Sequence, residues 1–550
     1  MIMTISRFKK LFNVLMTNVH FFGNGPPTPL WGSRLYTATD ATNVSKEMKK
    51  LRHLFPASYQ SAYVDKAIRN FENVHPDEEE IPGQVQALAG AVTNHDPKSR
   101  SVQQDIRRLV AVISNIHRSF LDEGKNVNFN PKKPSLPPLA AFIHNPWKIG
   151  RITPFTVPTK ENPLQTTVPV VSLPSSYRND LLLWGVLAHE TCGHPLLHAM
   201  PHLLDNLRNQ IDTAKLHDGP VIPRHGSIPR NTLLAIWQYW MEEAASDVFA
   251  VLNIGPAYGL GWGLFMAGLN ASVRLQKLIG GGRLSFKRIK QLLASGKIHP
   301  ELSINSIANA DEHPVDILTL YVVMGALDTL DGLSRTRRSR YIREIESIAA
   351  LCGKQELALL TVRADQLKLS RKTRSSLEKK FTKQIPMFIP RTAHTSKSLR
   401  ESIIGKRLKG LLMLDKQTPE LPFDILVLPQ NEMKETARRV GAYIATAKLP
   451  ALNGNSVQDF ETWDDPDEET ACRIANRLIT NKSVAGMGDD AQLLAGGVLA
   501  FYQKPKQYKK INRHLGKALD VSFECDPIWN PPAAPGFSET RRLPRRSRRK

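Results

Sequence analysis

Cysteine is scarce in this sequence. There are four in 550 residues (Cys192, Cys352, Cys472 and Cys525), and none forms a Cys-x-x-Cys pair. That excludes a disulfide-stapled secreted scaffold and a thiolate zinc finger, and fits a reducing, intracellular compartment, cytoplasmic unless a nuclear or organelle signal operates. Long apolar runs are missing too. No uninterrupted stretch reaches the ~18 residues that a membrane-spanning helix needs. The longest candidate, Ala257–Leu269, is short and Gly-rich and is followed by Asn270 and Arg274, so it reads as a buried helix. The Gly-rich stretches 255–268 and 280–282 lack the Gly-Lys-Ser/Thr pattern of a phosphate-binding loop. Acidic residues are absent before Asp40 and again from Arg541 to Lys550.

What is present describes a folded, basic protein. The apolar fraction is 41%, eight tryptophans occur, and the formal net charge is +23. This is the composition of a globular chain rather than a disordered one. The length allows two to four domains at ~100–200 residues each. Seven of the last ten residues are Arg or Lys, and four arginines crowd Arg335–Arg340. Such runs bind nucleic acid or an anionic surface, or simply form a solvated tail. Near the start, Phe8, Leu11, Phe12, Leu15, Met16 and Val19 share one helical face, with Lys9, Lys10 and Asn13 off it. The pattern has the flavour of an organelle transit helix, but it reads first as an amphipathic helix packed on the fold.

Chemistry concentrates in Leu187–His198, which reads LAHETCGHPLLH. His189 and His194 offer two imidazoles on one helical segment, and Glu190 directly follows the first. Neutral imidazoles bind zinc at ~2.0–2.1 Å, and an adjacent Glu can take a proton from metal-bound water. The spacing sets a structural demand. Residues four apart lie about 40° from one another around a helix, but residues five apart are splayed by about 140°. One widened π turn restores convergence, and Gly193 lies within that turn.

A catalytic zinc usually has three protein ligands and an open position. The third is expected on a helix over about 231–252, where Ile236, Trp240, Glu243, Asp247 and Val251 share a stripe. Two carboxylates on an otherwise apolar face need partners. Glu243 as ligand and Asp247 as the acceptor that orients an imidazole supply them. His198 and His202 continue the spacing and offer a competing pair, His194 with His198. Cys192, beside the ligands, reads as a small buried residue rather than a nucleophile. Further on, Asp311-Glu312-His313-Pro314 opens a helix through Met324. His313 is a candidate for substrate binding or oxyanion stabilisation, although Pro and acids at that place also suit a plain helix N-terminus.

His-Glu-x-x-x-His followed by Glu-x-x-x-Asp on a later helix resembles the gluzincin class of zinc metallopeptidases. The His spacing, with Gly before the second His, is most similar to the dipeptidyl peptidase III family, which pairs such a motif with Glu-Glu-x-x-x-acid. The resemblance covers about a dozen residues in two segments. Ala245 stands where that family has an arginine, and the final acid is Asp247 rather than Glu. The likeness implies zinc held by His189, His194 and Glu243, Glu190 as general base, and a peptide or protein substrate. Manganese or cobalt would also suit these donors. The rival expectation is a non-catalytic protein with a structural or degenerate metal site, perfected by His198 as fourth ligand, which binds partners through Arg541–Lys550.

The expected fold is α+β and predominantly helical, with a zincin-like metal-binding helix pair, a small strand region and a C-terminal mixed α/β unit. The expected divisions are a basic amphipathic segment (1–40), an N-terminal helical region (41–138), a catalytic domain (139–369), a basic linker (370–384), an α/β region (385–525) and a disordered basic tail (526–550). Within the catalytic domain, Thr166–Ser172 alternates like a strand, and nearby prolines suggest an edge or irregular one. A helix capped at Ser175 or Ser176 is expected to run through Leu181–Leu187 to His194, where Pro195 disfavours its continuation.

Overall fold

The computed structural model describes residues 5–19, 38–73, 82–96, 100–121, 136–143, 154–157, 168–214, 230–278, 286–295, 297, 300, 316–352, 357–363, 384–388, 423–428 and 430–531. Helices dominate, and two three-stranded sheets complete the described elements. None of the described helices is long and apolar enough to cross a membrane.

The N-terminal region supplies α1 (Ile5–Met16), α2 (Ala38–Leu51), α3 (Asp65–Asn73), α4 (Pro82–Thr93) and α5 (Arg100–Leu121). In α1 the apolar stripe from Phe8 to Met16 is almost fully buried, so this helix packs on the fold. In α5, Ile106, Leu109, Val112, Ile113 and Ile116 recur at helical spacing and are 0% exposed.

Three strands follow: β1 (Leu139–Ile143), β2 (Phe155–Val157) and β3 (Val170–Pro174). The order is β1-β3-β2, with β1 parallel and β2 antiparallel to β3. The strand expected near Thr166–Ser172 therefore lies at the centre of its sheet, not at an edge. Its prolines explain this: Pro169 precedes the strand and Pro174 ends it, so the ladder between them keeps its donors. The strands are buried throughout and mostly apolar, because both faces are covered. Leu139, Ala141 and Ile143 face a small core built with α2, α3 and α4, whereas Ala140 and Phe142 face the main core.

The chain then passes through a short 3₁₀ turn at Ser175–Tyr177, a second at Leu181–Val186, a π turn at His189–Gly193, and α6 (His194–Ala199). The single helix expected here is thus three kinds of helix in series. Pro195 does not stop it. Pro sits in the first turn of α6, where its missing N–H costs no hydrogen bond, and the helix continues to Ala199.

After α7 (Leu203–Gln210), the helix expected over 231–252 is two, α8 (Arg230–Tyr239) and α9 (Met241–Ile254), broken at Trp240. Gly255 ends α9 with φ of +65°, and a Cβ there would lie 2.5 Å from the Trp463 ring. Next comes α10 (Pro256–Leu278), which contains the buried run Ala257–Leu269. It is followed by α11 (Phe286–Ala294), α12 (Asp316–Asp328) and α13 (Arg335–Cys352).

The second sheet joins β4 (Leu357–Arg363), β5 (Gln384–Phe388) and β6 (Phe423–Leu428), all antiparallel, with β4 central. The strand-like Ile425–Leu428 is in β6. The described residues beyond it carry helices and no named strand: α14 (Gln430–Thr446), α15 (Asp465–Ile479), α16 (Asp490–Gln503) and α17 (Tyr508–Glu524). These join the same main core as α9 and α10. The arginines of α13 are largely taken up within the chain. Arg337 meets Asp465 and Glu469, Arg338 meets Asp331, and Arg340 meets Glu344 and the face of Tyr341. The basic run Arg541–Lys550 and His313 lie outside the described residues.

Candidate metal centre

The π turn lies against α9, which is buried from end to end. Their approach is so close that a Cβ on Gly193 would lie 2.3 Å from Ser246 Cβ. Only glycine fits there, and the contact brings both histidines onto the acidic turn of α9.

His189 Nε2 lies 3.0 Å from Glu243 Oε2, and His194 Nε2 lies 3.5 Å from the same oxygen. The other nitrogen of each ring faces a different carboxylate. His189 Nδ1 is 2.8 Å from Asp247 Oδ1, and His194 Nδ1 is 3.1 Å from Glu242 Oε1. Each imidazole therefore turns Nε2 toward a shared point and is held from behind by an acid. That is how metal-ligating histidines are usually oriented.

The donor set fits a small divalent cation. Among the described residues, His189, His194 and Glu243 form the group of three whose ligand atoms lie within 4.8 Å of one another. Donors each ~2.0–2.1 Å from a tetrahedral zinc lie roughly 3.4 Å apart, and the 3.0 and 3.5 Å separations bracket that edge. Four carboxylates crowd this volume (Glu190, Glu242, Glu243 and Asp247), each at most 8% exposed. Burying them needs positive charge close by.

The imidazoles supply that charge when they hold protons. Burial opposes a charge on His189, but Asp247 and Glu243 outweigh it and lift the ring to about 9. Burial likewise disfavours charge on His194, yet Glu243 and Glu242 raise it well above the usual range. Burial works against ionising Glu242, but His194 and His198 hold its carboxyl far below the ordinary carboxylate value. Glu242 is thereby arranged to stay ionised.

Glu190 sits inside the π turn, 8% exposed. Its Oε2 accepts from Thr156 Oγ1 at 2.8 Å, and its backbone oxygen lies 2.7 Å from the same hydroxyl. Thr156 projects from β2 toward the π turn, while its neighbours Phe155 and Val157 face the small core. Strand alternation thus ties an edge strand to the proposed base.

Several members were not apparent in the sequence. Tyr258 Oη on α10 donates to Asp247 Oδ1 at 2.5 Å, so Asp247 is itself held. Trp262, one turn on, lies nearly parallel to His189 with centroids 6.0 Å apart. Glu242 orients His194 and also meets His198 Nε2 at 3.0 Å. His198 is therefore a partner of Glu242 and stands outside the group of three. Cys192 is buried, donates to Ala188 O, and has its thiol pushed well up by burial, as befits a packing residue.

Comparisons of the chain with protein-family models, with curated proteins and with solved structures found no match.

Proposed function

We propose that this chain is a zinc-dependent peptidase of the gluzincin type, with His189, His194 and Glu243 as metal ligands and Glu190 as general base. One observation carries the reading: both Nε2 atoms converge on one Glu243 oxygen, while each Nδ1 is held by its own acid. Bound there, zinc would lower the pKa of a water and polarise a scissile carbonyl.

The chain's own residues perform the rest. Glu190 accepts a proton from the attacking water and returns it to the leaving amine. The Thr156 hydroxyl fixes the carboxylate in one orientation. Asp247, clamped by Tyr258, keeps His189 directed at the metal, and Glu242 does the same for His194. Among the described residues β2, not the segment around Thr166–Ser172, is an edge strand of its sheet.

In the rival reading, a structural site closed by His198, that ring would have to leave Glu242, which it meets at 3.0 Å. The test is Glu190→Gln in the full chain, screened on a peptide library beside the parent. Turnover should fall by about 10²–10⁴-fold with metal content unchanged. Full hydrolysis by the variant would remove Glu190 from the mechanism, and no hydrolysis by the metal-loaded parent would remove the peptidase reading.

A further inference from the structure

A second feature lies away from the metal centre. α1, α11 and the turn before α17 border an open hollow of about 740 Å³. It is lined by Lys9, Lys10 and Asn13 of α1, Lys290 and Leu293 of α11, and Lys506. All four lysines are exposed, and among the described residues no acid lines the cavity. Among the described residues none of the four has an ion-pair partner, although α13 shows that this chain pairs its arginines where acids are near.

Four like charges around one hollow repel each other, so the arrangement is complementary to a multiply negative guest. Lys ammonium groups act on phosphates as mobile point charges. The floor is different. Val14 and Leu293 are partly buried and pack against the main core, leaving an apolar surface below a cationic rim. The volume falls within the ~300–1,000 Å³ of small-molecule sites. The hollow opens to solvent, and its apolar floor distinguishes it from a uniformly cationic face.

We propose that this cavity binds a small organic polyphosphate, with two or more phosphates on Lys9, Lys10, Lys290 and Lys506 and an apolar ring on the Val14–Leu293 floor. The basic face of α17 (Lys509, Lys510, Arg513 and Lys517) is separate, and it serves as the control for non-specific attraction.

The test is calorimetric titration of the full chain at fixed salt with magnesium–ATP, inorganic tripolyphosphate and adenosine as probes. The cavity variant is K9Q/K10Q/K290Q/K506Q, with K10Q/K290Q as a milder version, and the control is K509Q/R513Q/K517Q. Magnesium–ATP should bind, tripolyphosphate more weakly, and adenosine not measurably. The cavity variants should weaken magnesium–ATP by about tenfold or more, while the control stays near the parent. Circular dichroism would verify that the variants fold. No binding of magnesium–ATP at millimolar concentration would overturn the proposal. So would equal losses in the cavity and control variants, or binding only of a single-stranded oligonucleotide through α17.

Discussion

Two places in the same core bury carboxylates, and the chain treats them in opposite ways. On α9, Glu242 is at most a few per cent exposed, yet imidazoles on either side keep it ionised. Near α17, Asp180 is 8% exposed and accepts from the Tyr508 hydroxyl at 2.8 Å. Burial pushes Asp180 up to about 7. Asp490, on α16, is likewise raised to about 7 by burial. Comparable burial thus leaves Glu242 held ionised in one region and shifts Asp180 and Asp490 toward the protonated form in the other. The difference is the rings of His194 and His198, which α6 brings to Glu242 directly after the π turn. A core acid with a hydroxyl partner is a packing compromise, whereas four acids around two imidazoles make a cation site.

The sharpest way to break that contrast is to move the rings. Gly193→Ala puts a methyl group 2.3 Å from Ser246 Cβ, so the π turn and α9 must separate. The variant should lose roughly 1–3 kcal/mol in urea denaturation and bind metal poorly. Gly193→Ala with Ser246→Gly should recover part of both. A fully stable, metal-competent Gly193→Ala would show that the close approach does not organise the site.

Much of this site could be read in the sequence because its spacing made a demand. Histidines five apart require a widened turn, and His189–Gly193 is one. Glu243 and Asp247, four apart, could be paired with them from the stripe alone. Glu242 could not. A single-helix projection sets it off that stripe, but the π turn carries His194 around α9 so that consecutive acids each meet a ring. Thr156 and Tyr258 come from other elements, and nothing local in the sequence marks them. The break at Trp240 was also hidden, since helical periodicity runs through it. The helical character of most of the chain was legible from apolar spacing. The central place of β3 was not, because flanking prolines look the same in sequence as interrupting ones.

A smaller perturbation loosens one ring without moving it. Asp247→Asn keeps the size of the side chain but removes the charge that holds His189 Nδ1. Metal affinity should drop by about 10–100-fold by competition with a chromophoric chelator, and Tyr258→Phe should give a milder loss in the same direction. Unchanged affinity in Asp247→Asn would show that His189 needs no support from behind.

Asp180→Asn sharpens the comparison from the other side. The folded-state value of Asp180 is raised from 3.8 to about 7. Its contribution is therefore fully present below pH 3.8 and is lost as pH rises through about 7. Asparagine has no such titration and can still accept from Tyr508. Relative to the parent, the variant should gain stability as pH rises from 4 to 8, by at most about 1.4 kcal/mol per pH unit within the window. Denaturation midpoints across that range would show it, and a pH-independent difference would refute the assignment.

The most direct measurement is the metal content of the purified chain by elemental analysis, beside His189→Ala and Glu243→Ala. The account predicts about one zinc per parent chain and close to none in either folded variant. A parent that takes up no metal when zinc is supplied, or variants that keep theirs, would contradict it.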